Sequence, residues 1–495
     1  MGEPTRLPGR ELGCRRPGEV RSEEVSEGVA MESIVRGTQV RDGHLFFDGV
    51  DVVALAHQIE TPFFLFSERE LRWNIERLRN AFTRQHLDTE IFFASKACSN
   101  MWFLDRVRRS GIGVEVNSGG ELWKALRIGF TGDQIVFNGV AKTRAEIGQA
   151  IEAGIRAIVV DSMYELERVA EVAQEYLKAA NVSVRVDVDV ETLTHPGMMT
   201  THGAKAGIDR DEALDAFGFA ASHEYLNLRG MHMHIGSQIT GVEPYVVAME
   251  AALDLIDRAE ASYEVKLEHL DAGGGFAIPY RDEPECAPHD YFCSKLTPDE
   301  YAAAICAVLE RRHPSLKLFL EPGRSIAAST AVLVTRVENE KVKGVRDASG
   351  RRVGDDHWLT IDAGFNVVLD NALYNWYFPC VVANRADQET TARFRLAGPL
   401  CDGGDVIPGQ DETPYRRLPS GTRVGDLLAF FNVGAYTLET MMPYNARPRA
   451  AAYAVAGGDV LQIRERESYE DMVAHDRPAS LLGARSSRGN SAGQR

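Results

Sequence analysis

Between about residues 60 and 325, short β-rich runs alternate with segments of helical period, and the alternation occurs eight times. The strand-like runs lie near 91–96, 113–117, 134–138, 157–161, 183–190, 229–235, 268–272 and 317–321. Most are near-continuous apolar stretches such as Ala157-Ile158-Val159-Val160, the pattern of a strand buried on both faces of a parallel sheet. Between them, Leu71, Ile75, Leu78 and Phe82 form one apolar helix stripe, and Ile147, Ala150, Ile151 and Gly154 another. Eight βα units are the number that closes a barrel, so the spacing predicts a (β/α)8 fold over residues 61–325.

Beyond residue 326 the pattern changes to strands separated by turn residues: Ala331–Val337, Trp358–Ile361 and Asp426–Phe431. We expect a C-terminal all-β barrel or sandwich domain over 326–470. Gly43–Phe47 is strand-like and places residues 31–60 as an N-terminal segment joining that domain. Residues 1–30 and 476–495 lack periodicity and are expected to be disordered, with Met31 an alternative start.

Composition narrows the function classes. A formal charge of −17 argues against a nucleic-acid or anionic-membrane surface. No run approaches 18 apolar residues, and the opening thirty have no apolar core of a signal peptide, so a cytoplasmic protein is expected. Seven scattered cysteines without a CxxC spacing indicate neither a disulfide framework nor a structural zinc site, and a reducing compartment fits them best.

Active sites of such barrels lie at the C-terminal ends of the strands. Lys96 ends the first strand, where an ammonium is costly unless used; buried lysines lose pKa readily and serve as Schiff-base nucleophiles. His234, with Gly236 and Ser237, ends the sixth; Gly273-Gly274-Gly275 follow the seventh; Glu321-Pro322-Gly323-Arg324 end the eighth. Glycines after the seventh strand let backbone N–H groups approach a phosphate, and Ser237 and Arg324 converge on the same side. A lysine, a phosphate cradle, an imidazole and a carboxylate at one mouth are what pyridoxal 5'-phosphate requires. A metal hydrolase is disfavoured, because His232 and His234 have no clear third ligand.

Seven runs in fixed order carry a family resemblance over about residues 40–465. They are Phe93–Ala97, Val116–Leu122, His232–Gln238, Gly273–Gly275, Glu321–Arg324, Cys401–Asp405 and Gly434–Tyr436. Together they resemble the fold-type III pyridoxal-phosphate decarboxylases, the diaminopimelate, ornithine and lysine decarboxylase group. The resemblance implies an alanine racemase-like (β/α)8 TIM barrel with an appended β domain. It makes Lys96 the lysine that bonds the cofactor, His234 the ring that stacks on it, and Glu321 the partner of its pyridine nitrogen. Ser237, Gly273, Gly274, Gly275, Gly323 and Arg324 hold the phosphate side, and Tyr436 lies close. Cys401, supplied by a neighbouring subunit, becomes the proton donor to the α-carbon, which implies a homodimer with shared sites.

The substrate end departs from the nearest relatives. Diaminopimelate decarboxylases resemble Asp362–Asn366 and Ala372-Leu373-Tyr374 closely, but place Arg-Pro before that Ala-Leu-Tyr to clamp a distal carboxylate; this chain has Asp370-Asn371. An anion there repels a carboxylate and forfeits bidentate recognition. Asp402 stands where the family places an acid that receives a distal ammonium. The expected activity is α-decarboxylation of an amino acid with a polar or cationic tail, such as lysine, ornithine or a conjugated diamino acid, releasing CO2 and an amine. Diaminopimelate decarboxylation is the alternative, since Arg324 and Tyr374 remain to meet a carboxylate. The segment Pro279–Leu296, with Asp282, Glu283, Glu285 and Asp290, is either a cover for the mouth or a surface loop. Two further classes are a racemase on the same fold and a non-catalytic binding homologue. Racemases resemble one another in pairing arginine with the pyridine nitrogen, unlike Glu321, and binding homologues tend to lose cofactor residues that this chain retains.

Overall fold

The computed structural model describes residues 36–477 apart from 193, 202, 282–289 and 410–412. The expected disordered segment 1–30, Met31, nearly all of the 476–495 tail and the acidic residues Asp282, Glu283 and Glu285 lie outside the described residues. Eight parallel strands run Thr89–Ala94, Gly113–Val116, Ile135–Phe137, Ala157–Val160, Ala180–Asp187, Leu226–His232, His269–Asp271 and Lys317–Leu320. Each pairs with the next; the eighth pairs with the first and the fourth with the fifth, so the sheet closes. Phe92, Val136, Val159 and Phe319 fill one interior layer, and His269 stacks on Phe319 with ring centroids 4.1 Å apart. The barrel interior is therefore a packed core.

Local sequence sets the helices around it. Thr143 and Glu146 form a capping box at the start of helix Arg144–Ala153, and Gly154, at φ 61°, ends it in the left-handed conformation. Gly154 thus terminates the helix instead of extending its apolar stripe. Leu71, Ile75, Leu78 and Phe82 are buried on helix Glu68–Gln85 as their spacing predicts.

The second sheet is mostly antiparallel and centres on Ala331–Arg346, which pairs with Arg352–Ile361, Leu427–Phe431 and Phe63–Ser67. Phe63–Ser67 also pairs with Ala451–Ala456. It precedes the barrel strands in sequence yet belongs to this sheet, so the second sheet begins later in the chain than residue 60. Residues 38–51 form their own three-stranded sheet and do not extend the larger one. Leu45 and Phe47 pack instead into an apolar cluster with Phe63, Val332 and Ala429. Among the cysteines, Cys98, Cys306, Cys380 and Cys401 are free, whereas Cys293 is disulfide-bonded, which scattered spacing did not indicate. No helix among the described residues is long and apolar enough to cross a membrane.

Candidate active site

Lys96 stands on the single 3-10 turn, Ser95–Ala97, that follows the first barrel strand. Two contacts fix the turn: Ser95 Oγ donates to Glu121 Oε2 at 2.6 Å, and the Tyr436 N–H donates to the Ala97 carbonyl at 2.8 Å. Ser95 and Ala97 are buried, while the Lys96 side chain stays open to solvent with protein all around it. Its electrostatics differ from the expectation. Burial works against the ammonium, but Glu115, Tyr436 and Glu321 outweigh it and hold the Lys96 pKa above the ordinary lysine value. The carboxylates around the lysine, invisible in its local sequence, reverse the sign.

Glu115 lies on the second strand beside Ala94. It is fully buried, and neither carboxylate oxygen has a hydrogen-bond partner among the described residues, although the nearby Asn117 amide favours the charged form. Burial pushes its carboxyl up to about 8, against the pull of Lys96. Glu321 sits across the same space under opposite influences. It accepts from Asn138 Nδ2 at 2.6 Å and from His232 Nε2 at 3.1 Å. Burial alone would raise its pKa, yet His232 and Lys96 hold it below the ordinary carboxylate value. Burial pushes the His232 imidazole below its ordinary value, against the pull of Glu321. Asp271, on the seventh strand, brings a third ligand-type atom within 4.8 Å of those on His232 and Glu321. The third partner that the sequence left missing beside His232 therefore exists: Glu321 is hydrogen-bonded to His232, Asp271 lies beside both, and His234 is not part of the group.

His234 lies just past the sixth strand, where its Nδ1 accepts the Gly274 N–H at 3.2 Å and burial holds it well below the usual imidazole range. A neutral, oriented ring suits stacking on an aromatic cofactor. The glycine run is required by close approach: a Cβ on Gly274 would meet the Glu321 carbonyl oxygen at 2.2 Å, and one on Gly275, at φ 97°, the Gly236 carbonyl oxygen at 2.3 Å. The Gly273 and Gly274 N–H groups are engaged by Asp271 and His234, which leaves Gly275 as the triplet's free donor among the described residues. Arg324 Nε reaches Ser237 Oγ at 3.3 Å and its Nη1 donates to Tyr280 Oη at 2.8 Å. The guanidinium lies over the rings of Trp376 and Tyr436, at 4.8 and 4.9 Å. A Cβ on Gly323 would sit 3.1 Å from Tyr436 Oη. An accessible lysine amine, an ionised buried carboxylate, a neutral ring and a cradle without side chains fit pyridoxal phosphate.

Residues 69–328 match the model of the pyridoxal-binding domain of pyridoxal-dependent decarboxylases. The chain belongs to that family. As a pyridoxal-dependent amino-acid decarboxylase it is 36% identical over 447 residues to the diaminopimelate decarboxylase of Archaeoglobus fulgidus, covering 89% of this chain and 99% of that one. It is 35% identical to the enzyme of that name from Pseudomonas aeruginosa, over 88% and 97% of the two chains. The crystal structure of diaminopimelate decarboxylase from M. jannaschii superposes with a TM-score of 0.79 at 33% identity, covering 90% of this chain and 98% of that chain.

The decarboxylase fold brings Lys96, His234, Ser237, Gly273–Gly275, Glu321, Gly323, Arg324 and Tyr436 to one mouth. Asp370 joins them: it opens the short helix Asp370–Leu373, is 3% exposed, and lies in the field of Arg324. Burial raises its carboxyl to about 6 against the pull of that arginine. Tyr374 follows, half-buried, its ring edge-on to His195 at 5.5 Å. Cys401 and Asp402 are not brought to this mouth. Cys401 is exposed and lines a separate cavity of about 1030 Å³ with Arg336, Asp362 and Arg447. Its N–H donates to Asn445 Oδ1 at 2.7 Å, and Tyr444 Oη donates to Asp402 Oδ2 at 3.1 Å, so the loop is held facing outward. Sequence reasoning missed Glu115, Asn138, Asp271, Tyr280 and Trp376. Glu115 and Asp271 carried a signal, an acid inside an apolar strand; the others acquire meaning only through their neighbours.

Proposed function

We propose that this decarboxylase works as a symmetric homodimer on an amino acid whose side chain ends in a cation, releasing CO2 and an amine. The observation that carries the reading is Asp370, a buried carboxyl whose nearest charged influence is Arg324. Arg324 is itself enclosed by Tyr280, Ser237, Trp376 and Tyr436. An arginine whose charge is offset by a neighbouring acid attracts a distal carboxylate weakly, and above pH 6 the ionised Asp370 attracts an ammonium.

Bound pyridoxal phosphate supplies the electron sink for the pair that departing CO2 leaves on the α-carbon. The chain supplies the rest. Lys96 offers the amine that anchors the cofactor, Glu321 holds a negative charge opposite the pyridine nitrogen, and His234 covers one face. Ser237, the Gly275 N–H, Gly323 and Arg324 receive the phosphate side. Cys401 and Asp402, presented outward, reach the mouth of a second copy, where the thiol returns a proton to the α-carbon and Asp402 meets the substrate tail.

A second reading, decarboxylation of diaminopimelate, is supported by the names of the relatives and by the survival of Arg324 in the mouth. CO2 release by the cofactor-loaded protein separates the two. We expect turnover of lysine or ornithine and at least tenfold lower kcat/KM on meso-diaminopimelate, with Lys96→Ala as blank, the tenfold being about 1.4 kcal/mol of discrimination. Preference for diaminopimelate would overturn the Asp370 argument and establish the second reading.

A further inference from the structure

Asp271 ends the seventh barrel strand directly beside His232 of the sixth, and is 1% exposed. Its Oδ1 accepts the Gly273 N–H at 2.9 Å. Its Oδ2 is buried, and no N–H or hydroxyl of the described residues reaches it. What it faces is the carboxyl of Glu321: an oxygen of each acid and a ring nitrogen of His232 all lie within 4.8 Å of one another. Two ionised carboxylates do not persist this close together in a buried site, so one of the pair holds a proton, which the other can accept.

The donors decide which. Glu321 already receives Asn138 Nδ2–H and His232 Nε2–H, with Lys96 nearby to favour its charge. Asp271 has a single backbone N–H and faces the negative charge of Glu321. The negative charge therefore settles on Glu321 and the proton on Asp271.

We propose that Asp271 is a positioning residue, a neutral acid that donates its Oδ2–H to Glu321 and so fixes Glu321 as the ionised, oriented partner of the cofactor's pyridine nitrogen. An ionised carboxylate has about four lone-pair positions. Asn138, His232 and Asp271 fill three, which leaves one for the pyridinium N–H. Burial and Glu321 both push the Asp271 carboxyl well above the usual carboxylate range, in agreement with that arrangement. Without the third donor, Glu321 becomes more basic, is freer to turn, and competes for the pyridine proton.

The test is a pair of variants read in two ways. Asp271→Asn copies the neutral acid: its amide oxygen accepts from Gly273 and its NH2 donates to Glu321. Asp271→Leu keeps the volume and loses the donor. The expected result is rescue by asparagine, with retention of pyridoxal phosphate and turnover within about threefold of the wild type. Leucine should weaken cofactor retention about ten- to hundredfold, the worth of one hydrogen bond to an ionised group. If the leucine variant does not fold, the infrared difference spectrum of wild type against Asp271→Asn, recorded on cofactor-free protein at pH 7.5, decides alone. Loss of a protonated-carboxyl C=O band supports the proposal. Loss of a carboxylate band pair, or an asparagine variant as impaired as the leucine one, overturns it.

Discussion

Glu115→Gln is the substitution for which the structure gives the clearest quantitative consequence. The native carboxyl titrates at about 8 against an ordinary value of 4.5, because it is fully buried and its oxygens lack partners. The folded protein thus holds a proton that the unfolded chain releases, and stability falls as pH rises from about 4.5 to about 8. One pKa unit is about 1.4 kcal/mol, so the cost grows from on the order of 1 kcal/mol at pH 5.5 to on the order of 4 kcal/mol at pH 7.5. Below pH 4.5 the contribution vanishes. A chain of 495 residues gains about 1 °C in Tm per kcal/mol. Glutamine, neutral at every pH and nearly isosteric, should therefore raise Tm by about 4 °C at pH 7.5 and about 1 °C at pH 5.5. Calorimetry of the two proteins from pH 5 to 8.5 measures this. A gain independent of pH, or a glutamine variant less stable at pH 7.5, would show that the carboxyl is ionised and paired, most directly with Lys96. The same substitution removes the strongest anionic neighbour of Lys96, so its amine should titrate lower than in the wild type.

Three further outcomes follow from the site. Mixing Lys96→Ala with Cys401→Ala protein, each inactive alone, should recover about a quarter of wild-type turnover, since random exchange leaves half the dimers with one intact site; no recovery would place both residues in a single-chain site. With a cationic substrate, kcat/KM should rise as pH passes about 6, where Asp370 ionises, and Asp370→Asn should remove that limb from the profile. The double change Asp370→Arg with Asn371→Pro should move kcat/KM toward diaminopimelate and away from lysine by about tenfold or more in their ratio, the scale expected for a charge reversal in a buried recognition site. An unchanged ratio would remove Asp370 from substrate selection.

How much of this was legible in the sequence differs from element to element. The eight barrel strands were readable because a strand buried on both faces must be apolar throughout, and all eight lie where their runs stand. That same criterion failed for Phe63–Ser67, as apolar as any barrel strand, whose membership of the second sheet is set by pairing with Ala331–Arg346 and Ala451–Ala456. The mouth residues were readable because the chain runs in one direction through every strand, so Lys96, His234 and Glu321 arrive at the same end whatever the side-chain packing.

Charge was not readable in that way. A lysine in an apolar run suggests a depressed pKa, and only the convergence of Glu115, Tyr436 and Glu321 from three other segments raises it. Likewise Glu321 draws its character from Asn138, His232 and Asp271 on three other strands or their ends, none of them near it in sequence. The linear chain determined the barrel, its cofactor class and the residues that reach the mouth, because strand periodicity and strand direction are local properties. Tertiary structure alone decided which acids hold protons, and that Cys401 faces outward from its own barrel, because electrostatic energy depends on distances through space and on burial, which residues far apart in the chain create together.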